Sequence, residues 1–278
     1  MTIITLLTDF GTTDPFVGVM KGVILGINPQ VELVDLCHGV SPHDVLEAAF
    51  LLHTAYRYFP PGTIHVVVVD PGVGGERRPL LAEGIHGYYL APDNGVLSYL
   101  YASGEIQRVR ALTKAEYFLH PVSQTFHGRD IFAPVAAHLS RIGRADPFGE
   151  AVIDVVKIDL PGVEKRGRGV LIGSVRHVDR FGNLITNISA EDLATLPRPW
   201  KVKIKGQTIQ GLTSSYDAIP PGVAGAIIGS AGTLEVFIHR GSAAKTLQVK
   251  RGSRVRVETA VSLRRARRGA WPKKGRSG

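Results

Sequence analysis

The chain has 278 residues, 44% hydrophobic and 21% charged, which is ordinary globular usage and excludes a disordered chain, a coiled coil or a collagen-like repeat. Its length exceeds the usual single-domain size, so two separate cores are expected. The net charge of +9 would suggest a nucleic-acid partner, but Arg264, Arg265, Arg267, Arg268, Lys273, Lys274 and Arg276 carry +7 of it and leave +2 for residues 1–263. Residues 261–278 therefore read as a disordered basic tail on a nearly neutral body, with no specific nucleic acid expected.

Met1 leads within one residue into apolar Ile3 to Leu7 with no basic leader and no cleavage site, so the chain reads as cytoplasmic. No apolar stretch approaches the roughly 18 residues that span a bilayer, so no membrane partner is expected. The single Cys37 excludes an internal disulfide or a multi-cysteine zinc site and reads as a small buried thiol.

In chain order, Ile3 to Leu7 predicts a buried strand that stops at the turn Thr8-Asp9-Phe10-Gly11. Asp14 followed by Pro15 reads as an N-cap with proline at the first helical position. Phe16, Val19, Met20, Val23, Ile24 and Ile27 then repeat with helical spacing up to Asn28-Pro29. The unit recurs: strand Val31 to Leu36, a capping-box start at Ser41-Pro42-His43-Asp44, and a helix stopped by Pro60-Pro61-Gly62. A third strand, Thr63 to Val69, ends at Asp70. Continuous apolar strands alternating with helices imply an N-terminal, mainly parallel α/β/α sandwich. Ligands of such sheets bind beyond the carboxyl ends of the strands, where Asp9 and Asp70 stand.

After a predicted helix at Ile131 to Ile142 the texture changes. Pro161-Gly162 and Gly167-Arg168-Gly169 read as a linker. Beyond them lie short β-like segments at Gly169 to Val178, Leu184 to Ile188, Val202 to Ile204, Ala226 to Ile228, Leu234 to Ile238 and Val255 to Val257. They predict a small C-terminal β-barrel. The expected organisation is 1–160 as the α/β domain, 168–260 as the barrel and 261–278 as the tail.

Four polar clusters sit in glycine-containing turns after strands: Thr8-Asp9-Phe10-Gly11, Asp70 to Arg77, Phe126-His127-Gly128-Arg129-Asp130, and Asp179-Arg180-Phe181-Gly182-Asn183. Each has a plainer reading, since Asp-Pro-Gly is a common turn, Phe-Gly-Asn a common hairpin, and Arg129 with Asp130 a way to cap the following helix. The loop after Asp70 lacks the lysine of a P-loop and the spacing of a dinucleotide fingerprint. No two of Asp9, His38, His43, His65 and His127 stand at a recognised metal-ligand spacing. Gly229-Ser230-Ala231-Gly232 misses the nucleophile elbow of a serine hydrolase.

Taken together and in this order, Thr8-Asp9-Phe10-Gly11, Asp70-Pro71-Gly72-Val73-Gly74, Thr125 to Asp130, Phe181-Gly182-Asn183 with Thr186-Asn187, and Gly241-Ser242-Ala243-Ala244 resemble the S-adenosylmethionine hydrolase (hydroxide adenosyltransferase) family, relatives of fluorinases and chlorinases. The resemblance implies hydrolysis of S-adenosylmethionine to adenosine and methionine, with no metal and no cofactor, by a triad that falls on Asp70, Arg77 and His127. Arg78 is the rival for the arginine role, and the family spacing selects Arg77. It also implies that Asp9 accepts from the two ribose hydroxyls. Asn183 and Ser230 are implied as nucleoside or methionine contacts, and Asp179 and Glu235 as partners of the methionine ammonium. Glu235 has the alternative of a solvent-facing strand residue. A homotrimer with the active site at the subunit interface is implied as well. Halogenating relatives resemble this chain less, carrying tyrosine for Asp70 and serine for Gly128. Such a halide-using transferase is the runner-up, followed by an RNA-binding or scaffolding module built on the β domain and tail, and then a metal-dependent phosphoesterase.

A neutral thioether leaves the sulfonium, so no general acid is required. A carboxylate with a reference pKa near 4 cannot hold free hydroxide, so proton transfer from water should accompany attack. A bare guanidinium beside a sulfonium would repel it, so Arg77 is expected to be paired with Asp70. His127 is expected to make the remaining hydrogen bond that fixes the water.

Overall fold

The computed structural model describes residues 1–167 and 169–260. The basic tail, 261–278, lies outside the described residues. The chain divides into two compact units, one running from Met1 to Pro161 and the other starting at Gly162.

The first unit contains β1 (Ile3–Thr8), α1 (Phe16–Ile27), β2 (Glu32–Cys37), α2 (Val45–Ala55), β3 (Thr63–Val68), β4 (Pro79–Gly84), β5 (Gly87–Pro92), α3 (Ser98–Ala102), β6 (Ile106–Leu112), α4 (Ala133–Ile142) and β7 (Gly149–Ala151). Its seven strands run in the order β2-β1-β3-β5-β4-β6-β7. β2, β1, β3 and β5 are parallel, and the pairings of β4 with β5 and β6, and of β6 with β7, are antiparallel. The alternating strand–helix pattern marks the parallel half. In the antiparallel half only β4 and β5 are joined by a short turn, while α3 connects β5 to β6 and the segment carrying α4 connects β6 to β7.

Both faces of the sheet are covered, which is why its central strands are continuously apolar. Ile64, Val66 and Val68 of β3 pack with Met20 and Ile24 of α1 and with α4. Val67 and Val69 pack on the other side with Ala48, Ala49 and Leu52 of α2. Two helix starts differ from the sequence reading. Pro15, not Asp14, is the N-cap of α1, with no side-chain cap, because proline already supplies a preset φ and has no N–H to satisfy. α4 begins at Ala133, two residues late, because Gly128–Phe132 forms a π-helical turn in front of it. At α2, Asp44 is the cap, accepting from Glu47 N, while Glu47 Oε2 accepts from Ser41 N at 2.9 Å.

The second unit contains β8 (Glu164–Arg166), β9 (Val170–Val178), β10 (Leu184–Ser189), α5 (Ala190–Ala194), β11 (Trp200–Ile204), β12 (Gln207–Gln210), β13 (Ala224–Ile228), β14 (Thr233–Ile238), α6 (Ala243–Thr246) and β15 (Arg254–Thr259). The antiparallel order is β12-β11-β15-β9-β10-β14-β13, with β8 on β9. Thr213 N donates to the Ala226 carbonyl at 2.8 Å, drawing the chain beyond β12 onto β13 and nearly closing a barrel. Leu171, Val175, Leu184, Val202, Leu234, Val236, Val255 and Val257 fill it, one side chain from every second strand position.

Candidate active site

Asp70 stands two residues beyond β3, at the carboxyl end of the parallel sheet, where the loop to Arg77 turns sharply. Gly74 makes the turn with φ +76°, and a Cβ there would lie 2.2 Å from the Gln124 carbonyl oxygen, so this loop and the segment ahead of His127 touch through backbone. Arg77 Nε donates to both Asp70 oxygens at 3.0 Å, and Nη2 donates to Oδ2 and also lies 2.6 Å from His127 Nδ1. The side chains of Arg77 and Asp70 are only 9% and 5% exposed.

A guanidinium has donors only. Nδ1 of His127 must therefore present its lone pair, which places the ring proton on Nε2. The ring is neutral: burial, then the adjacent Arg77 charge, lower its pKa from 6.5, against weaker opposing effects of Asp70, Asp130 and the Ser123 carbonyl. Arg78 faces elsewhere, donating to Asp93 Oδ2 at 2.6 Å and Asp154 Oδ1 at 2.8 Å. Asp70, Arg77 and His127 are thus one cluster, and the neighbouring arginine is committed to another.

Asp9 lines the same cavity of about 310 Å³ as Asp70 and His127, together with Phe10, Phe16, His43, Phe126 and Gly128. Its loop is fastened by Thr8, whose Oγ1 accepts from Phe10 N at 3.2 Å and lies 2.9 Å from His38 Nδ1. His43 N donates to Asp9 Oδ2 at 2.8 Å, from a left-handed backbone at φ +67°. Phe10, Phe16 and Phe126 form a mutual cluster with centroids 5.2–5.8 Å apart. Sequence reasoning missed His43 as an Asp9 partner because a non-glycine residue with positive φ leaves no composition signal. The three phenylalanines were individually visible, and Phe16 was assigned to the helix core.

In the second unit, Asp179, Asn183, Phe181, Tyr216 and Phe237 line a cavity of about 600 Å³. Asp179 Oδ1 accepts from Phe181 N and Asn183 N, and Oδ2 accepts from Asn183 Nδ2 at 2.9 Å. The hairpin closes at Gly182 (φ +85°), where a Cβ would meet Ser242 Oγ at 2.0 Å. Glu235 is 5% exposed, not solvent-facing, and accepts from Tyr216 Oη at 2.8 Å. Burial, and secondarily Asp179, raise its pKa above 4.5, with the Tyr216 bond opposing. Ser230 lies exposed in the turn between β13 and β14 and is not among the residues lining that cavity. Among the described residues, no three of His, Cys, Asp and Glu are grouped to hold a metal ion, and no helix is long and apolar enough to cross a membrane.

A buried carboxylate–guanidinium–imidazole cluster beside a cavity at the carboxyl end of a parallel sheet, in a chain whose barrel unit carries a second cavity lined by Asp179 and Arg240, is the arrangement of a small-molecule enzyme. The profile of the SAM hydroxide adenosyltransferase N-terminal domain matches residues 4–149, and that of the C-terminal domain matches residues 173–256. The chain belongs to this family. It is 41% identical over 196 residues to an (R)-S-adenosyl-L-methionine hydrolase of Methanocaldococcus jannaschii, covering 69% of this chain and 68% of the relative. Its identity to the enzyme of that name from Thermus thermophilus is 37% over 258 residues, covering 90% and 97%. A fluorinase of Nocardia brasiliensis is 27% identical over 290 residues, covering 92% and 96%. A solved structure of a conserved Thermotoga maritima protein superposes with a TM-score of 0.87 at 34% identity, covering 91% of this chain and 99% of that one.

Proposed function

We propose that the chain hydrolyses S-adenosyl-L-methionine to adenosine and L-methionine by in-line attack of water on the ribose C5′. It acts without metal or cofactor, in the cytoplasm, as a homotrimer whose sites are completed at the subunit interface. The observation that carries this reading is the engagement of Arg77 by Asp70 and His127 together. The pair removes the net positive charge that would repel a sulfonium, while leaving a carboxylate edge on the cavity.

Asp70 accepts a proton from the water as its oxygen bonds to C5′. The C5′–S bond breaks and its electron pair stays on sulfur, giving a neutral thioether. Arg77 holds the carboxylate in a bidentate grip and stabilises developing hydroxide character. His127, neutral and with Nδ1 on Arg77, holds the guanidinium from the other side. Asp9, its carboxylate fixed by His43 N, accepts from the ribose hydroxyls. In the barrel unit Asp179 and Glu235 receive the ammonium, with Asn183 and Ser230 contacting the nucleoside or methionine.

Replacement of Asp70 by alanine tests the central role. Turnover should fall by more than about a hundredfold, and a variant that folds and keeps turnover within two- or threefold of the parent removes Asp70 from the mechanism. Full activity of a monomer on sizing and dilution would contradict the trimer. The fluorinase similarity keeps a halide reaction in view as the second reading. Against it, a Cβ at Gly128 would stand 3.1 Å from Met20 Sδ and Phe126 Cε2, so a serine there requires those neighbours to shift. Formation of 5′-chloro-5′-deoxyadenosine in chloride as the main product would favour it.

A further inference from the structure

Asp130 directly follows the catalytic segment in sequence, and capping of the next helix is the plainest role for it. The geometry contradicts that role. Asp130 lies inside the π-helical turn Gly128–Phe132, ahead of α4, and its carboxylate reaches backward. Oδ2 accepts from Ser123 N at 2.9 Å and from Ser123 Oγ at 2.6 Å. Arg129 Nε donates to Oδ1 at 2.6 Å and Nη2 to Oδ2 at 3.1 Å. The residue is wholly buried, and a buried carboxylate must have its acceptor sites filled.

Both groups it holds lead to the segment carrying His127. Ser123 Oγ accepts from Phe126 N at 3.1 Å, Asp130 N donates to the Phe126 carbonyl at 3.1 Å, and the Arg129 guanidinium lies over the Phe126 ring at 5.4 Å. π-Helical turns recur where a side chain must be aimed rather than merely packed.

We infer that Asp130 is a positioning residue: through Ser123 it anchors residues 123–127 so that His127 stays in the Nε2–H tautomer with its Nδ1 lone pair on Arg77. This rests on the proposed role of the Asp70–Arg77–His127 cluster, and deepens it. The charged groups around the ring are Arg77 and Asp70 from the loop after β3, and Asp130 with its partner Arg129 from the π turn.

The test uses the full chain with ¹⁵N-labelled histidine, the His127 ring signals being assigned by their loss in His127→Gln. Asp130→Asn and Ser123→Ala are compared with the parent for ring tautomer, for the pH at which the ring titrates, and for kcat and KM. The parent should show one tautomer, with Nδ1 unprotonated. Both variants should shift toward averaged tautomers, and kcat should fall about tenfold with KM held within about twofold. Ser123→Ala leaves the Asp130–Arg129 pair in place, so it decides the matter if Asp130→Asn fails to fold. Unchanged ring signals in the folded variants overturn the inference, whatever happens to turnover. If the parent shows no turnover of S-adenosylmethionine, the proposed function fails and the ring signals still judge the positioning role.

Discussion

Replacing Arg77 by lysine separates its charge from its geometry. Arg77 uses two nitrogens to reach both oxygens of Asp70, and a third direction to reach His127 Nδ1. A lysine ammonium is a point donor on a flexible stem and cannot span those partners at once. If it keeps the Asp70 contact, two charge-assisted bonds are lost. At the low end of about 1.5 kcal/mol each this amounts to about 3 kcal/mol, or about a 150-fold loss in kcat/KM if both matter in the transition state. Steady-state adenosine release, followed chromatographically, measures it, with circular dichroism confirming the fold. Arg78→Lys is the control, since its guanidinium pairs with Asp93 and Asp154 and is one-third exposed. It should leave kcat/KM within about threefold. Arg77→Lys within threefold of the parent, properly folded, would refute the reasoning.

Three further outcomes are expected. The kcat profile should lose activity below pH 6.5, because a lowered His127 pKa means the ring is neutral above 6.5 and protonates as pH falls through the lowered value, forfeiting the Nδ1 acceptor for Arg77. The same shift leaves the fold fully stable above 6.5 and progressively less so as pH falls through the lowered value, and a kcat that already falls above pH 6.5 would count against a neutral ring of lowered pKa. Glu235→Gln should raise KM about tenfold with kcat nearly unchanged, as expected when a charged partner of an ammonium is removed. An unchanged KM would detach Glu235 from the substrate. Gly74→Ala should cost about 2 kcal/mol, because it forces a positive φ on alanine and drives its Cβ into the Gln124 carbonyl. Differential scanning calorimetry should show Tm lower by about 4–8 °C, and an unshifted Tm would mean that the loop relaxes freely.

Much of this was legible in the residues, and the limits have physical causes. The parallel half of the first sheet announces itself because Ile64, Val66, Val67, Val68 and Val69 lie between two helical layers and must be apolar on both faces, the buried His65 among them being hydrogen-bonded to Thr5 Oγ1. β4 and β6 do not, since Glu83, Arg108 and Arg110 interrupt them, Arg108 pairing with Glu83 and Arg110 with Asp146. The resemblance supplied Asp70, Arg77 and His127 together, and its spacing chose Arg77 over Arg78, whose guanidinium is held by Asp93 and Asp154. The tautomer of His127 was not legible, because it depends on which ring nitrogen Arg77 meets. Glu235 sits at an alternating strand position that the pattern alone leaves open. Its burial against Tyr216 is set by strand register and by a residue in a separate loop. Capping stayed open as the plainer role of Arg129 and Asp130 because a one-residue widening of a helical turn leaves no mark on composition.

The most direct test of the central claim is to incubate chelator-treated protein with S-adenosylmethionine in chloride-free, oxygen-18-labelled water and analyse the products by mass spectrometry. The account predicts methionine together with adenosine carrying one labelled oxygen at the 5′ position, formed at the same rate with and without chelator. Unlabelled adenosine, turnover abolished by the chelator, or no turnover at all would contradict it.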